Sequence, residues 1–76
     1  MDRETFQNEL HRANSLMAEN PEYWRAYCLG LRRRFYGENY GTDHQHASWM
    51  NFGRGESGRG YQAGYNLVAL EKAPGI

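Results

Sequence analysis

Arg32, Arg33 and Arg34 follow one another, with Tyr36 and Tyr40 close behind. A guanidinium group offers a planar fork of donors to carboxylates and phosphates and stacks on aromatic rings, so arginine beside tyrosine suits anions, bases and protein hot spots alike. Successive residues of a helix stand about 100° apart, so at least two of the three arginines face solvent, with Arg25 one face away. Arg54, set between Gly53 and Gly55, adds a further exposed cation. The expected contact surface is Arg32, Arg33, Arg34, Tyr36, Tyr40 and Arg54. The plainer reading of the triplet is a solvated helix end whose cations complement the helix dipole.

Other groupings point less clearly to chemistry. His44 and His46 with Asp43, His11 and Cys28 are metal-ligand types, but histidines at i and i+2 diverge by about 200° on a helix, and no second pair stands at ligand spacing. The expectation is a half-buried His46 beside Trp49, an exposed His44 and no bound metal. Cys28 falls on the apolar stripe of a helix, where a thiol is inert. The chain has no phosphate loop, nucleophile elbow or dinucleotide turn, so no catalytic residue and no cofactor is assigned. Gly53-Arg54-Gly55 and Gly58-Arg59-Gly60 look like fragments of RNA-binding RGG segments, although loop freedom and close helix packing account for the same glycines. Six tyrosines exceed what so small a core can bury with every hydroxyl paired, so several are expected at the surface.

The elements that must position these residues are helical. Phe6, Leu10, Ala13 and Met17 recur as one amphipathic stripe, predicting a helix over about 3–18. Asn20-Pro21 is a cap followed by a first-turn proline and opens a second helix over 21–36, which buries Trp24, Tyr27 or Cys28, Leu31 and Phe35 and ends at Gly37. Thr42 with Gln45 forms a capping-box pattern for a third helix over 43–52, with His46, Trp49, Met50 and Phe52 turned inward. Tyr61, Gly64, Tyr65 and Val68 suggest a fourth over 57–70, against which three glycines set a competing C-terminal hairpin. The expected fold is an all-α, single-domain bundle (1–76) of three to four helices; an α+β arrangement with that hairpin is the alternative.

Two segments echo each other at a separation of 34 residues: Arg25-Ala26-Tyr27-Cys28-Leu29-Gly30-Leu31 and Arg59-Gly60-Tyr61-Gln62-Ala63-Gly64-Tyr65. Each holds a small-xxx-small pair that strips one helix face of side chains. Helices 2 and 4 are therefore expected to cross there, and if they do, Gly64 is helical and the hairpin fails.

Composition narrows the classes further. Lys plus Arg and Asp plus Glu number nine each, so the net charge of zero does not advertise nucleic acid or membrane. The cations concentrate after Tyr23 and the acids before it. One cysteine forbids an internal disulfide, and the N-terminus lacks a signal-peptide pattern, so a cytoplasmic location is expected. The longest apolar run, Leu67 to Leu70, is far short of the ~20 residues of a membrane helix. A monomer and a homodimer are both compatible with a small-xxx-small face.

Pro21-Glu22-Tyr23-Trp24-Arg25 through Gly30-Leu31-Arg32-Arg33, then Tyr36-Gly37, His46, Trp49, Gly58-Arg59-Gly60-Tyr61 and Gly64, resembles a group of short bacterial and prophage proteins of unknown function. The blocks span about two thirds of the chain and carry no catalytic residue across. In size and character the chain is similar to anti-CRISPR proteins. That resemblance implies a phage- or mobile-element-type inhibitor that sterically blocks a host protein or ribonucleoprotein complex. The alternative is a small accessory protein that binds DNA or RNA through the same arginines and tyrosines.

Overall fold

The computed structural model describes residues 2–66, and its architecture is all-α. Four α-helices occur among the described residues: α1 (Arg3–Ser15), α2 (Pro21–Tyr36), α3 (Asp43–Phe52) and α4 (Gly55–Asn66). A 3₁₀ turn, Gly37–Asn39, follows α2.

Local chemistry sets most of the boundaries. The Thr5 N–H donates to Asp2, 2.8 Å away, and opens α1. That helix stops at Ser15, three residues sooner than its apolar stripe suggested; residues 16–19 form turns into Asn20, whose conformation Pro21 restricts. Asn20 then caps α2 with proline in its first turn, and Gly37 ends it with φ at 66°. The capping box of α3 is complete: the Gln45 N–H donates to Thr42 Oγ1 at 3.1 Å, and the Thr42 N–H donates to Gln45 Oε1 at 3.3 Å.

The hairpin expected as an alternative after Gly58 does not form over the described residues; Gly64 lies within α4, and positions 67–70 of the expected helix lie outside them. The most extensive packing is that of α4 on α2. A Cβ on Gly30 would collide with the Tyr61 carbonyl and stand 2.9 Å from the Tyr65 nitrogen, while a Cβ on Gly64 would collide with the Tyr27 carbonyl and stand 3.1 Å from the Leu31 nitrogen. Each collision partner lies 34 positions from its counterpart, so the echo in the sequence is a reciprocal contact about a local pseudo-twofold axis. Gly60 lies on Tyr23 and Gly64 on Tyr27, so α2 and α4 run in the same direction and α3 returns the chain between them.

The flanking helices respect the same pseudo-symmetry. α1 packs on α2 and α3 on α4, giving two helical hairpins in tandem. The Tyr27 hydroxyl donates to Glu9 of α1 at 2.6 Å, and the equivalent Tyr61 hydroxyl lies 2.9 Å from His46 Nδ1 of α3. Phe6, Ala13, Tyr27, Cys28 and Leu31 make the buried core, with Leu10, Trp24 and Phe35 against it. Glu9 is buried among them. Its carboxylate accepts from Arg12 Nε at 2.9 Å as well as from Tyr27, which meets the rule that a buried charge must be paired.

Candidate functional site

The last turn of α2 carries Arg33 and Arg34, where cations oppose the negative end of the helix dipole. A ladder of rings runs outward from the core at this end. Phe6 stacks on Phe35 at 4.1 Å, Tyr36 meets both edge-on at 5.5 and 5.1 Å, and Tyr40 stacks on Tyr36 at 6.1 Å. Tyr36 is nevertheless 44 % exposed. Its ring is oriented by buried Phe6 and half-buried Phe35 and presents its outer surface to solvent, an arrangement in which little rotamer freedom remains to be lost on binding.

The three consecutive arginines have three different fates. Arg34 is exposed and lies over the Tyr65 ring, 5.6 Å from its centroid. Arg32 is half-buried. Arg33 corrects the expectation that it belongs to the contact surface: it is buried, with Nη2 donating to Asp43 at 2.7 Å and Nη1 to the Tyr40 carbonyl at 3.2 Å. It clasps the start of α3 and the backbone of Tyr40, and so positions the stacked tyrosines. Arg54 is exposed in the short α3–α4 connection, and among the described residues no ion pair or ring contact joins it to the tyrosines. The structure thus brings Tyr36 and Tyr40 together, with Arg32 one turn before Tyr36 on the same side of α2; Arg34 turns instead to Tyr65 of α4, and Arg54 stands apart.

Beside this end, α2, α3 and α4 enclose a cleft of about 290 Å³ lined by Leu29, Tyr40, Thr42, His46, Trp49 and Tyr61. Its walls are aromatic: Trp49 stacks on Tyr61 at 5.0 Å with the rings 7° from parallel, and His46 packs on Tyr65 at 4.4 Å. Burial, followed by the nearby Arg33 charge, holds the His46 pKa below its ordinary value, which favours the neutral imidazole. Phe52 departs from expectation, being 72 % exposed at the end of α3 rather than turned inward. The helix is too loosely seated on α4 to cover it, and α3 has no buried residue.

The remaining chemical candidates are placed plainly. Cys28 is buried, and that burial raises its thiol pKa, away from the reactive thiolate. His44 is exposed, and among the described residues no three His, Cys, Asp or Glu side chains converge on a point that could hold a metal ion. No described helix is long and apolar enough to cross a membrane. Two functional contributors escape a sequence reading. Asp43 looks like a first-turn acid serving the dipole, although its partner is Arg33. Glu9 lies between Phe6 and Ala13 on the inward stripe, and that position was the available signal for its burial.

No protein-family model, characterised protein or solved structure matches the chain significantly.

Proposed function

We propose that the protein is a non-catalytic binding protein, and that it docks on a host protein or ribonucleoprotein complex through the end of α2 formed by Arg32, Arg34, Tyr36 and Tyr40. The observation that carries this reading is the ring ladder: exposed Tyr36 and half-buried Tyr40, stacked and held in one orientation from beneath, at the end of α2 that also carries Arg32 and Arg34, which have no carboxylate partner among the described residues. Tyrosine and arginine are the residues that dominate interface energetics, and rigid aromatic anchors bind at low entropic cost. Steric blockade of the complex, as by an inhibitor of anti-CRISPR type from a phage or mobile element, is the mode of action such a small surface best serves. In this reading the protein works in the cytoplasm and needs no cofactor.

Affinity capture from a bacterial lysate, with and without nuclease, tests it. One defined protein complex that survives nuclease is expected. Loss of every partner on nuclease treatment would overturn the reading in favour of nucleic acid held by the same arginines.

A further inference from the structure

The cleft of about 290 Å³ beside α3 has no Asp, Glu, Lys or Arg in its lining: Tyr40, Trp49 and Tyr61 supply rings, and Thr42, Gln45 and His46 supply polar groups. Arg33 and Asp43 stand nearby but are paired with each other, and burial with the Arg33 charge favours neutral His46. A charged occupant would lose its hydration there without gaining a counter-charge. Trp49 turns one face to Tyr61, 5.0 Å away and 7° from parallel. Its other face has no aromatic partner among the described residues, and the side chain is only half-buried. Because these two rings lie against each other rather than facing a common point, they do not make a cage for a quaternary ammonium. The polar groups keep hydrogen-bonding capacity. Gln45 Oε1 accepts from the Thr42 N–H, Thr42 Oγ1 accepts from the Gln45 N–H, and His46 Nδ1 faces the Tyr61 hydroxyl. The Gln45 amide NH₂, the Thr42 O–H and His46 Nε2 have no protein partner among the described residues. The volume stands near the lower bound of about 300 Å³ for ligand pockets, so the occupant is small.

We propose that this cleft binds a purine base, stacked on the face of Trp49 turned away from Tyr61 and hydrogen-bonded along its edge by Gln45 and Thr42. A purine is flat and uncharged, and its two fused rings cover more of an indole than a pyrimidine does. Its ring nitrogens accept from an amide or a hydroxyl, the two donors that the lining leaves unspent. A free nucleoside and an unstacked base of an RNA strand present this same chemistry. The inference goes beyond the docking surface above and does not rest on it: of Arg32, Arg34, Tyr36 and Tyr40, only Tyr40 lines the cleft.

Titration of the isotope-labelled protein with adenosine or inosine, followed by NMR, tests it, with cytidine, ribose and tetramethylammonium for comparison. Saturable shifts of the Trp49 indole N–H and the Gln45 side-chain amide are expected, with a Kd of about 1 mM or tighter for the purines and binding of cytidine about 5-fold weaker. Trp49→Leu removes the stacking surface and should weaken adenosine binding by about 10-fold or more. Gln45→Glu keeps the capping box, in which Glu serves as well as Gln, yet removes the amide donor. It should weaken adenosine by a similar factor with the circular dichroism unchanged, and it decides the matter if Trp49→Leu does not fold. A short adenylate RNA separates the two sources. Binding about 10-fold tighter than adenosine assigns the cleft to a base within a strand, and equal affinity assigns it to a free nucleoside; either upholds the purine site. No shift by about 5 mM adenosine, ribose or tetramethylammonium binding as tightly as adenosine, shifts confined to residues away from the cleft, or adenosine affinity unchanged in both variants would each overturn the proposal.

Discussion

Alanine in place of Gly64 sets two effects of opposite sign against each other. In a free-standing helix the change favours the helix by about 1 kcal/mol. In α4 the added methyl carbon would overlap the Tyr27 carbonyl oxygen and stand 3.1 Å from the Leu31 nitrogen, both backbone atoms of α2 that cannot rotate away. Relief requires the helices to part by roughly an ångström, which forfeits a quarter to a half of the dispersion energy of each contact across the interface. Overpacking costs about 1–3 kcal/mol where side chains can yield; with backbone opposing, the upper figure applies. Net of propensity, the loss is about 2 kcal/mol, and at ~4–8 °C per kcal/mol for a domain of this size Tm falls by roughly 8–16 °C. Gly30→Ala, the reciprocal position, should lose a similar amount. Thermal melts by far-ultraviolet circular dichroism check this, with Asn66→Ala, exposed in the same helix, as the control. A Gly64→Ala protein that melts at or above the wild-type temperature would refute the close approach of α2 and α4.

Two titrating groups give further expectations. Burial opposes ionisation of Glu9, but the hydrogen bonds from Arg12 and Tyr27 outweigh it and leave the pKa below 4.5. The unfolded chain then binds the proton more tightly than the folded one, so the contribution is present above pH 4.5 and is lost as pH falls through the folded value. Glu9→Gln should flatten this acid limb in urea titrations, at a cost of about 1–3 kcal/mol near neutrality. His46 is likewise depressed, below 6.5, by burial and then by Arg33, so its contribution is present above pH 6.5 and is lost as pH falls below it. His46→Gln should remove that dependence, read as the urea midpoint of tryptophan-reported unfolding on either side of the transition.

The elements whose causes are local were legible in the sequence. Asn20-Pro21 starts α2, Thr42 with Gln45 starts α3, and Gly37 ends α2, because each boundary is decided within four residues. The crossing of α2 and α4 was legible for a different reason: absent side chains at Gly30, Gly60 and Gly64 are a direct statement about how near another backbone can come. What depends on distant partners was not. Glu9 stands on the inward stripe, but nothing near it in the sequence shows that Tyr27, 18 positions away, is its partner. Arg33 reads as one of three equivalent cations until the 3₁₀ turn brings Tyr40 and Asp43 back over it. Phe52 is expected inward with His46 and Trp49, yet α3 touches the bundle mainly through those two and leaves its last turn uncovered.

The affinity of the captured complex for the wild-type protein, for Tyr36→Ala with Tyr40→Ala, and for Arg54→Ala tests the central claim most directly, measured at low and at physiological salt. The account predicts a loss of about 2 kcal/mol or more, near 30-fold, for the tyrosine variant, little change for Arg54→Ala, and a shallow salt dependence. Unchanged affinity in the tyrosine variant, or a fall of several orders of magnitude between the two salt concentrations, would contradict it.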